Sequence, residues 1–251
     1  MPTIDELVRT LTTYQGSLDE RKHRANPDKA FWYPYGALSN VVHLNNLLQG
    51  DHRDLSSLIK DRPVLDIGAA DGDMAFYLES YGCTGEIVDH APTNFNGLRG
   101  ARLLKEVLGS SVEIHDVDLD SQFTLPGVSY GLILFLGILY HLKNPYYVLE
   151  ELAKRTEWCL VSTRVAGYTP DSRVDISSYP VAYLLDPTEC NNDPTNFWIF
   201  SHTGLRRLFE RTGWEISEYM AAGDTVHSDP AHADRDERAF ALLRSRVAEG
   251  R

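Results

Sequence analysis

Hydrophobic and polar positions alternate in two different ways along the chain. The first 60 residues carry apolar positions at helical spacing, and we predict helices there; the stripe of the first helix comprises Ile4, Leu7, Val8 and Leu11. Beyond residue 60, short apolar runs of strand length are separated by amphipathic segments. This alternation of strands and helices is typical of an α/β domain with a mostly parallel sheet.

The apolar runs predict seven strands, at residues 64–67, 86–89, 112–115, 131–136, 158–163, 214–219 and 239–243. We therefore expect a Rossmann-like, doubly wound, mostly parallel sheet with helices on both faces. Residues 164–200 interrupt the pattern with prolines and an aromatic run, which indicates an insertion that covers a ligand crevice; the alternative is a surface loop with its own small core. The predicted organisation is a helical extension over residues 1–60 and a domain over residues 61–251.

Composition narrows the class of protein. The chain has 251 residues, of which 43% are hydrophobic and 24% charged, as in an ordinary globular protein. No apolar run reaches the roughly 20 residues of a membrane span. The N-terminus lacks a basic region followed by an apolar core, so no signal peptide is predicted. Cys83, Cys159 and Cys190 show no metal-ligand spacing, which favours free thiols in a reducing cytoplasm and no metal site.

The charge of the chain bears on its partners. The formal net charge is −12, whereas proteins whose main partner is nucleic acid usually carry a basic surface. Basic residues do cluster at Arg21, Lys22, His23 and Arg24, and we interpret them as a solvated face. We therefore expect a small-molecule substrate rather than nucleic acid or a membrane, and we leave homo-oligomer formation open.

The most informative stretch is residues 62–79, which read RPVLDIGAADGDMAFYLE. A buried strand at residues 64–67 is followed by a turn of small residues at 68–72. Asp73 is positioned to cap a helix that begins at Met74. A strand, a small-residue loop and a helix in this order let a ligand lie against bare backbone at the helix N-terminus.

The spacing of the glycines selects the kind of ligand. A dinucleotide fingerprint has the pattern G-x-G-x-x-G/A, and the third small position of that pattern is not clearly matched here. Asp71 would repel a pyrophosphate but would suit a methionine moiety with its ammonium group, and Asp66 adds a second carboxylate. The alternative is a purely structural turn. The predicted cofactor-binding residues of this loop are Asp66, Gly68, Ala69, Asp71 and Gly72.

The ends of the next two strands supply further candidates. Asp89 lies 21 residues after Gly68 (89 − 68), where a carboxylate can accept hydrogen bonds from both ribose hydroxyls, unless it is a plain surface acid. His90 follows it at the same strand end. Asp116, preferred narrowly over Asp118, is placed to accept from an adenine amino group while Val117 packs on the ring.

The fourth strand ends at Leu136 and Gly137, which should reach the same crevice because ligands bind beyond the carboxyl ends of the strands. Tyr140 and His141 follow directly. A histidine there is a candidate general base or substrate contact. The alternative for His141 is a hydrogen-bonded structural role.

Two aromatic runs are candidate walls of the crevice. The first includes Trp32 and Tyr35, and the second includes Phe197 and Trp198. Aromatic rings beside a cleft commonly line it, although such runs also serve as packing plugs. We predict that both runs converge with Tyr140 over the reactive group of the ligand.

The D-x-G-x-x-D-G pattern that runs from Asp66 to Gly72, together with Asp89, resembles the class I S-adenosyl-L-methionine (SAM) dependent methyltransferases over roughly residues 60–245. This resemblance implies SAM as cofactor and S-adenosyl-L-homocysteine as product. It implies transfer of a methyl group to an oxygen or nitrogen atom of a small molecule. A SAM-binding subunit without activity is an alternative, and an oxidoreductase is disfavoured by the glycine spacing.

Residues 134–145, LFLGILYHLKNP, resemble one branch of that superfamily, which includes the bacterial tRNA wobble-uridine carboxymethyltransferases. In that branch a lysine, a tyrosine and a C-terminal arginine hold the carboxylate of carboxy-SAM. The matching positions are Lys29, Tyr140 and Arg238. The resemblance therefore implies an alternative reaction, carboxymethyl transfer from carboxy-SAM to a tRNA wobble uridine.

Overall fold

The structure is a computed structural model, and it describes residues 1–170 and 173–248. Asp171 and Ser172, inside the predicted insertion, and residues 249–251, at the end of the predicted domain, lie outside the described residues. The chain forms two compact units, Met1–Leu134 and Phe135–Arg251. In residues 1–170 and 173–248, no helix has both the length and the apolar composition needed to cross a membrane.

The first unit contains five α-helices, as the helical N-terminal pattern and the alternation predict. They are α1 (Ile4–Ala25), α2 (Asn40–Leu47), α3 (Leu55–Ile59), α4 (Asp73–Glu79) and α5 (Arg99–Leu108). Short 3₁₀ helices lie at Lys29–Phe31, Ala37–Ser39 and Gly50–Arg53. Helix α1 begins with a capping box in which Thr3 Oγ1 accepts from the Glu6 amide at 3.2 Å and the Glu6 carboxylate accepts from the Thr3 amide at 2.8 Å.

The strands of this unit are β1 (Val64–Ile67), β2 (Gly85–Asp89), β3 (Glu113–Asp116) and β4 (Tyr130–Leu136), whose last two residues belong to the second unit. They pair in parallel in the order β3-β2-β1-β4. All four residues of β1 are buried, because the strand is covered on both faces. Asp89 pairs with Asp116, so the carboxyl ends of β2 and β3 lie side by side.

The start of α4 differs from the prediction. The helix begins at Asp73, and its N-cap is Gly72 with φ 84°, so Asp73 is not the cap. A left-handed φ favours glycine, and a Cβ at position 72 would lie 2.7 Å from Ile87 Cδ1. The Asp73 carboxylate instead bonds to Lys22.

The second unit contains α6 (Pro145–Ala153), β5 (Thr156–Val165), β6 (Ala182–Leu184), β7 (Trp198–Phe200), α7 (His202–Arg211), β8 (Trp214–Gly223) and β9 (Glu237–Ser245). Short 3₁₀ helices lie at Leu139–His141 and Ala233–Arg235. Strand β9 pairs antiparallel with both β5 and β8. Strand β7 runs parallel to β5, and β6 pairs antiparallel with β7.

The predicted Rossmann-like, mostly parallel sheet with helices on both faces is confirmed, but the described residues hold nine strands rather than seven. The two additional strands, β6 and β7, both come from residues 164–200. In β7, Ile199 is fully buried between the half-buried aromatic residues Trp198 and Phe200. The predicted division at residue 60 and the role of the insertion as a lid remain predictions.

Candidate functional site

The loop at residues 68–72 in the first unit joins β1 to α4 through an unusual backbone path. Gly68, Ala70 and Gly72 all have positive φ angles, of 69°, 54° and 84°. The Gly68 amide donates to the Val88 carbonyl at 2.9 Å, which ties the loop to β2. Ala70 holds a left-handed conformation at some energetic cost, and such strained positions concentrate at functional sites.

Asp66 is a buried carboxylate at the end of β1, only 4% exposed. Burial and, secondarily, the nearby Asp89 raise the pKa of Asp66 to about 7, while a hydrogen bond from the Ala75 amide opposes the shift. Among the described residues, Asp66 Oδ2 has no hydrogen-bond partner. A buried acceptor without a donor fits a positively charged or hydrogen-bonding ligand group.

Asp89 organises the turn after β2. Its Oδ2 accepts from the Ala70 amide at 3.1 Å and from Asn94 Nδ2 at 2.9 Å, and its Oδ1 accepts from the His90 amide at 2.8 Å. Burial raises the pKa of Asp89, and these hydrogen bonds oppose the rise. Since an ionised carboxylate offers about four acceptor positions, Asp89 retains capacity for a ligand hydroxyl. Asn94 was not among the predicted residues.

The neighbouring candidates at the ends of β2 and β3 come together as expected. The Asp116 carboxylate accepts from the Ala91 amide at 2.9 Å, and the Val117 amide donates to the Asp89 carbonyl at 2.9 Å. Asp116 is exposed, so its second oxygen is accessible to a ligand. His90 lies at the same strand end.

Asp71 is bonded to protein groups within the first unit. Its Oδ2 accepts from the Tyr33 amide at 2.8 Å, its Oδ1 accepts from Asn96 Nδ2 at 2.7 Å, and Lys22 Nζ lies 3.4 Å from Oδ2. The Lys22 side chain is 11% exposed. The prediction of a solvated basic face is therefore wrong for Lys22, although it holds for Arg24, whose side chain is 79% exposed. That Asp71 receives the ligand ammonium remains a prediction.

The first aromatic run divides into buried and exposed residues. Trp32 is buried and donates its indole N–H to the Asn26 carbonyl at 2.9 Å, which fits the packing interpretation. Tyr35 is 68% exposed. Tyr33 packs edge-on against Tyr35 and against Phe95, which the sequence did not single out. Lys29, on the 3₁₀ helix before this run, is exposed.

In the second unit, His141 follows the end of β4 and Gly137, whose φ is 78°. Its Nδ1 lies 3.1 Å from the Thr195 carbonyl and 3.0 Å from Thr195 Oγ1. Burial lowers the pKa of His141, outweighing the opposing effects of Asp193 and the Thr195 backbone. A neutral imidazole that donates Nδ1–H to a carbonyl keeps its lone pair on Nε2, and among the described residues no hydrogen-bond partner occupies that atom.

Arg238 and Tyr140 also lie together in this unit. The Arg238 guanidinium carbon is 5.7 Å from the centre of the Tyr140 ring, and Arg238 Nε donates to Asp236 Oδ2 at 3.0 Å. Burial lowers the pKa of Arg238, but Tyr140 and Asp236 outweigh it and raise that pKa. The Phe197 amide donates to the Tyr140 carbonyl at 2.8 Å, so a backbone hydrogen bond joins the second aromatic run to the same residue.

Two further side chains complete the description of the second unit. Trp198 donates its indole N–H to the Lys143 carbonyl at 3.2 Å. Arg164, which the sequence did not single out, is buried and donates to Cys190 Sγ at 2.6 Å and to the Asp229 carbonyl at 3.1 Å. In residues 1–170 and 173–248, no group of three or more His, Cys, Asp or Glu side chains is arranged to hold a metal ion.

A family model described as "Methyltransferase domain" matches residues 41–219, which include the glycine loop, both acidic strand ends and His141. The chain belongs to this methyltransferase family. Membership in the class I SAM-dependent methyltransferases, the activity and the SAM cofactor are thereby confirmed. No protein with a curated description matches this methyltransferase.

Solved structures share the fold at low sequence identity. The SAH-bound N-terminal domain of EvdMO1 is 17% identical with a TM-score of 0.57, and the match covers 92% of this chain and 96% of that one. TehB from Haemophilus influenzae is 18% identical with a TM-score of 0.53, covering 79% and 62%. The PH0226 protein from Pyrococcus horikoshii OT3 is 15% identical with a TM-score of 0.51, covering 89% and 97%. The methyltransferase is similar to these proteins in fold.

The geometry at Asp89 leads to a prediction about cofactor affinity. Asp89→Ala is expected to weaken SAH binding by roughly 1–3 kcal/mol, because ribose hydroxyls and the Ala70 amide would lose a charged acceptor. Titration calorimetry with SAH measures this change.

Asn94→Ala serves as the matched control, since it removes one donor to Asp89 but leaves the carboxylate in place. The control should lose much less affinity than Asp89→Ala. Equal affinity of the Asp89 variant and the unaltered enzyme, both folded, would remove Asp89 from the cofactor site.

Proposed function

We propose that this methyltransferase transfers the methyl group of SAM to an oxygen or nitrogen atom of a small-molecule acceptor. The observation that carries this proposal is the neutral, buried His141 with its lone pair on Nε2. A hydroxyl or amine acceptor must lose a proton during methylation, and a neutral imidazole can take it.

The reaction is an in-line displacement. The acceptor lone pair forms a bond to the methyl carbon while the bond from that carbon to the sulfonium breaks, which leaves SAH as the neutral-sulfur product. Alignment of donor and acceptor accounts for most of the acceleration of such a step. His141 Nε2 receives the acceptor proton, and the Nδ1 contact with Thr195 holds the ring in the required tautomer.

Residues of the first unit are proposed to hold the donor. Gly68, Ala69 and Gly72 offer backbone to the methionine part, and Asp66 offers its unbonded oxygen to the ammonium. Asp89 is proposed to bind the ribose. We assign the adenine surroundings to residues at strand ends, namely His90, Asp116, Val117, Leu136 and Gly137. Acceptor contacts are proposed for Trp32, Tyr35, Phe197 and Trp198.

The direct test supplies SAM labelled in its methyl group to the enzyme together with a metabolite extract, bulk tRNA or bulk protein in separate reactions. The expected result is enzyme-dependent label in the small-molecule fraction. His141→Gln is the control for background transfer. Label confined to tRNA or to protein would contradict a small-molecule acceptor while leaving the methyltransferase activity in place.

A second reaction, carboxymethyl transfer from carboxy-SAM to a tRNA wobble uridine, is favoured by one observation. Arg238 carries its charge over the Tyr140 ring in a half-buried setting, which suits a carboxylate. Lys29 is the third residue proposed for that carboxylate.

Arg238→Met discriminates between the two donors. If Arg238 binds a donor carboxylate, the variant should lose affinity for carboxy-SAM roughly tenfold or more, on the scale of a charged hydrogen bond, and little affinity for SAM. Competition binding with both compounds measures the ratio. An equal change for the two donors would contradict the carboxylate role.

Two statements about the whole protein accompany this proposal. A cytoplasmic location and a small-molecule partner are proposed, and homo-oligomer formation stays open.

A further inference from the structure

A buried lysine in the first unit faces two buried carboxylates beside the glycine loop. Lys22 Nζ lies 2.7 Å from Asp73 Oδ1 and 3.4 Å from Asp71 Oδ2. The Asp71 and Asp73 side chains are 1% and 7% exposed. We call these three residues the Lys22 clasp. Each charge is largely removed from water, so the clasp is stable only while all three charges compensate one another.

The clasp also holds the chain that follows α1, residues 26–35, which we call the cap segment. Lys22 Nζ lies 5.4 Å from the centre of the Trp32 ring, and the Tyr33 amide donates to Asp71 Oδ2 at 2.8 Å. Asn96 donates both to Asp71 Oδ1 at 2.7 Å and to the Phe31 carbonyl at 3.1 Å. The cap segment is therefore attached to the side chain of a glycine-loop residue.

The loop and the clasp share their backbone. Asp71 lies between Ala70, whose amide bonds to Asp89, and Gly72, which caps α4. A Cβ on Gly100 would lie 2.0 Å from Asp71 Oδ1, so α5 packs directly against the Asp71 carboxylate and leaves no room for a side chain there. Displacing Asp71 would accordingly displace the backbone against which the cofactor is proposed to lie.

We propose that Lys22 is a positioning residue for the cofactor: by offsetting the negative charge of Asp71 and Asp73 it docks the cap segment on the glycine loop, and docking and cofactor binding stabilise each other. This inference rests on the proposed placement of the cofactor at the glycine loop. Lys22 does not contact the reacting atoms in this mechanism. It acts through Asp71, whose oxygens accept from the cap segment and from Asn96.

Removal of Lys22 is expected to destabilise the docked cap segment. Two adjacent carboxylates without a counter-ion repel each other in a site with little water. The repulsion is relieved when the cap segment opens and lets water reach Asp71 and Asp73. In the open form the Tyr33 amide no longer fixes Asp71, so the loop is less ordered before the cofactor binds, and the binding free energy must supply that ordering.

Lys22→Met is the test, because methionine keeps the length of the side chain and removes the charge. Hydrogen exchange of the cap segment, residues 26–35, and titration calorimetry with SAH are measured on the unaltered enzyme and on the variant. We expect faster exchange in the cap segment of the variant without ligand. We also expect weaker SAH binding by roughly 5- to 150-fold, the usual range of coupling between two sites.

Two further variants sharpen the result. Lys22→Arg restores a positive charge at the same position and should recover most of the affinity and of the protection from exchange. Arg24→Met removes one positive charge from the same helix at an exposed position bonded to Glu20, and should change neither quantity. If the Lys22→Met variant does not fold, the double variant Lys22→Met, Asp73→Asn is measured instead. The double variant buries only one carboxylate, Asp71, without a counter-ion.

The outcomes separate this inference from the proposed function. Unchanged exchange in the cap segment of Lys22→Met would overturn the clasp, and faster exchange with unchanged SAH affinity would overturn its coupling to the cofactor. By reciprocity, SAH must also slow exchange of the cap segment in the unaltered enzyme. If the Lys22 variants contradict the clasp but the unaltered enzyme still binds SAH, the proposed function stands. If the unaltered enzyme does not bind SAH, the proposed function itself is contradicted.

Discussion

His141→Gln is expected to lower kcat by roughly 10²- to 10⁴-fold, the contribution typical of a positioned general base. Glutamine can still donate to the Thr195 carbonyl, so the local packing should persist. It has no basic lone pair to accept the acceptor proton. SAH affinity and the melting temperature should remain unchanged, because His141 lies in the second unit and the residues proposed to hold the donor lie mainly in the first.

The pH profile gives an independent check on His141. Burial lowers its pKa below the ordinary value of 6.5, so the imidazole is neutral and able to accept a proton throughout the neutral range. Turnover should therefore fall only as the pH drops through this lowered pKa. The acid limb of the kcat profile should accordingly lie below pH 6.5 in the unaltered enzyme and vanish in the residual activity of His141→Gln.

His202→Gln is the matched control, because His202 is a half-buried histidine in the same unit. Both nitrogens of His202 are occupied, by the Tyr219 hydroxyl at 2.7 Å and by Glu237 at 3.0 Å, so it has no lone pair to offer. This variant should keep its turnover. Near-normal turnover of His141→Gln would return His141 to a structural role.

Asp66→Asn is expected to stabilise the protein at alkaline pH and to weaken cofactor binding at the same time. The folded-state pKa of Asp66 is about 7, against a reference value of 3.8. The folded protein therefore holds a proton that the unfolded chain releases between these values, and stability falls as the pH rises through 7. Above pH 7, the ionised Asp66 lowers the free energy of unfolding by on the order of 4 kcal/mol, and below pH 4 this loss disappears.

Thermal unfolding at pH 5 and pH 8 measures this effect without ligand. The gain in melting temperature from Asp66→Asn should be larger at pH 8, where the unaltered enzyme must bury an ionised carboxylate. Asp118→Asn is the control, since the Asp118 side chain is 45% exposed and should give no such difference. SAM affinity should move the opposite way, because the variant lacks a negative charge for the ammonium. A gain independent of pH, or an unchanged SAM affinity, would contradict this account of Asp66.

The fold was largely predictable because its signals are local. The apolar runs and the glycine loop each lie within a few consecutive residues, and the boundaries of β1 agree with the predicted strand at residues 64–67. The two strands of the insertion were missed because three-residue strands carry no periodicity of their own. The start of α4 was misplaced by one residue, since the capping preference of Asp73 competes with the left-handed turn at Gly72.

The candidate site was predictable only in part, for a related reason. Strand-end residues such as Asp89 and His141 follow from topology, which places carboxyl ends at one edge of a sheet. The roles of Lys22 and Arg164 do not follow from topology. Their hydrogen-bond partners, Asp71 and Asp229, lie 49 and 65 positions away in the sequence. A lysine in a run of basic residues carries no local sign that it is buried, and only packing of α1 reveals it.

The position of β9 also has a consequence for biosynthesis. This strand, the last in the described residues, lies between β5 and β8 and pairs with both along most of its length. The ribosome releases β5 and β8 first, so each waits with an open edge until residues 237–245 emerge. Pairing of β9 with β5 joins strands that are far apart in the sequence and is therefore slow, and exposed edges attract other chains. Premature termination before β9 should therefore yield an aggregating nascent chain rather than a smaller working enzyme.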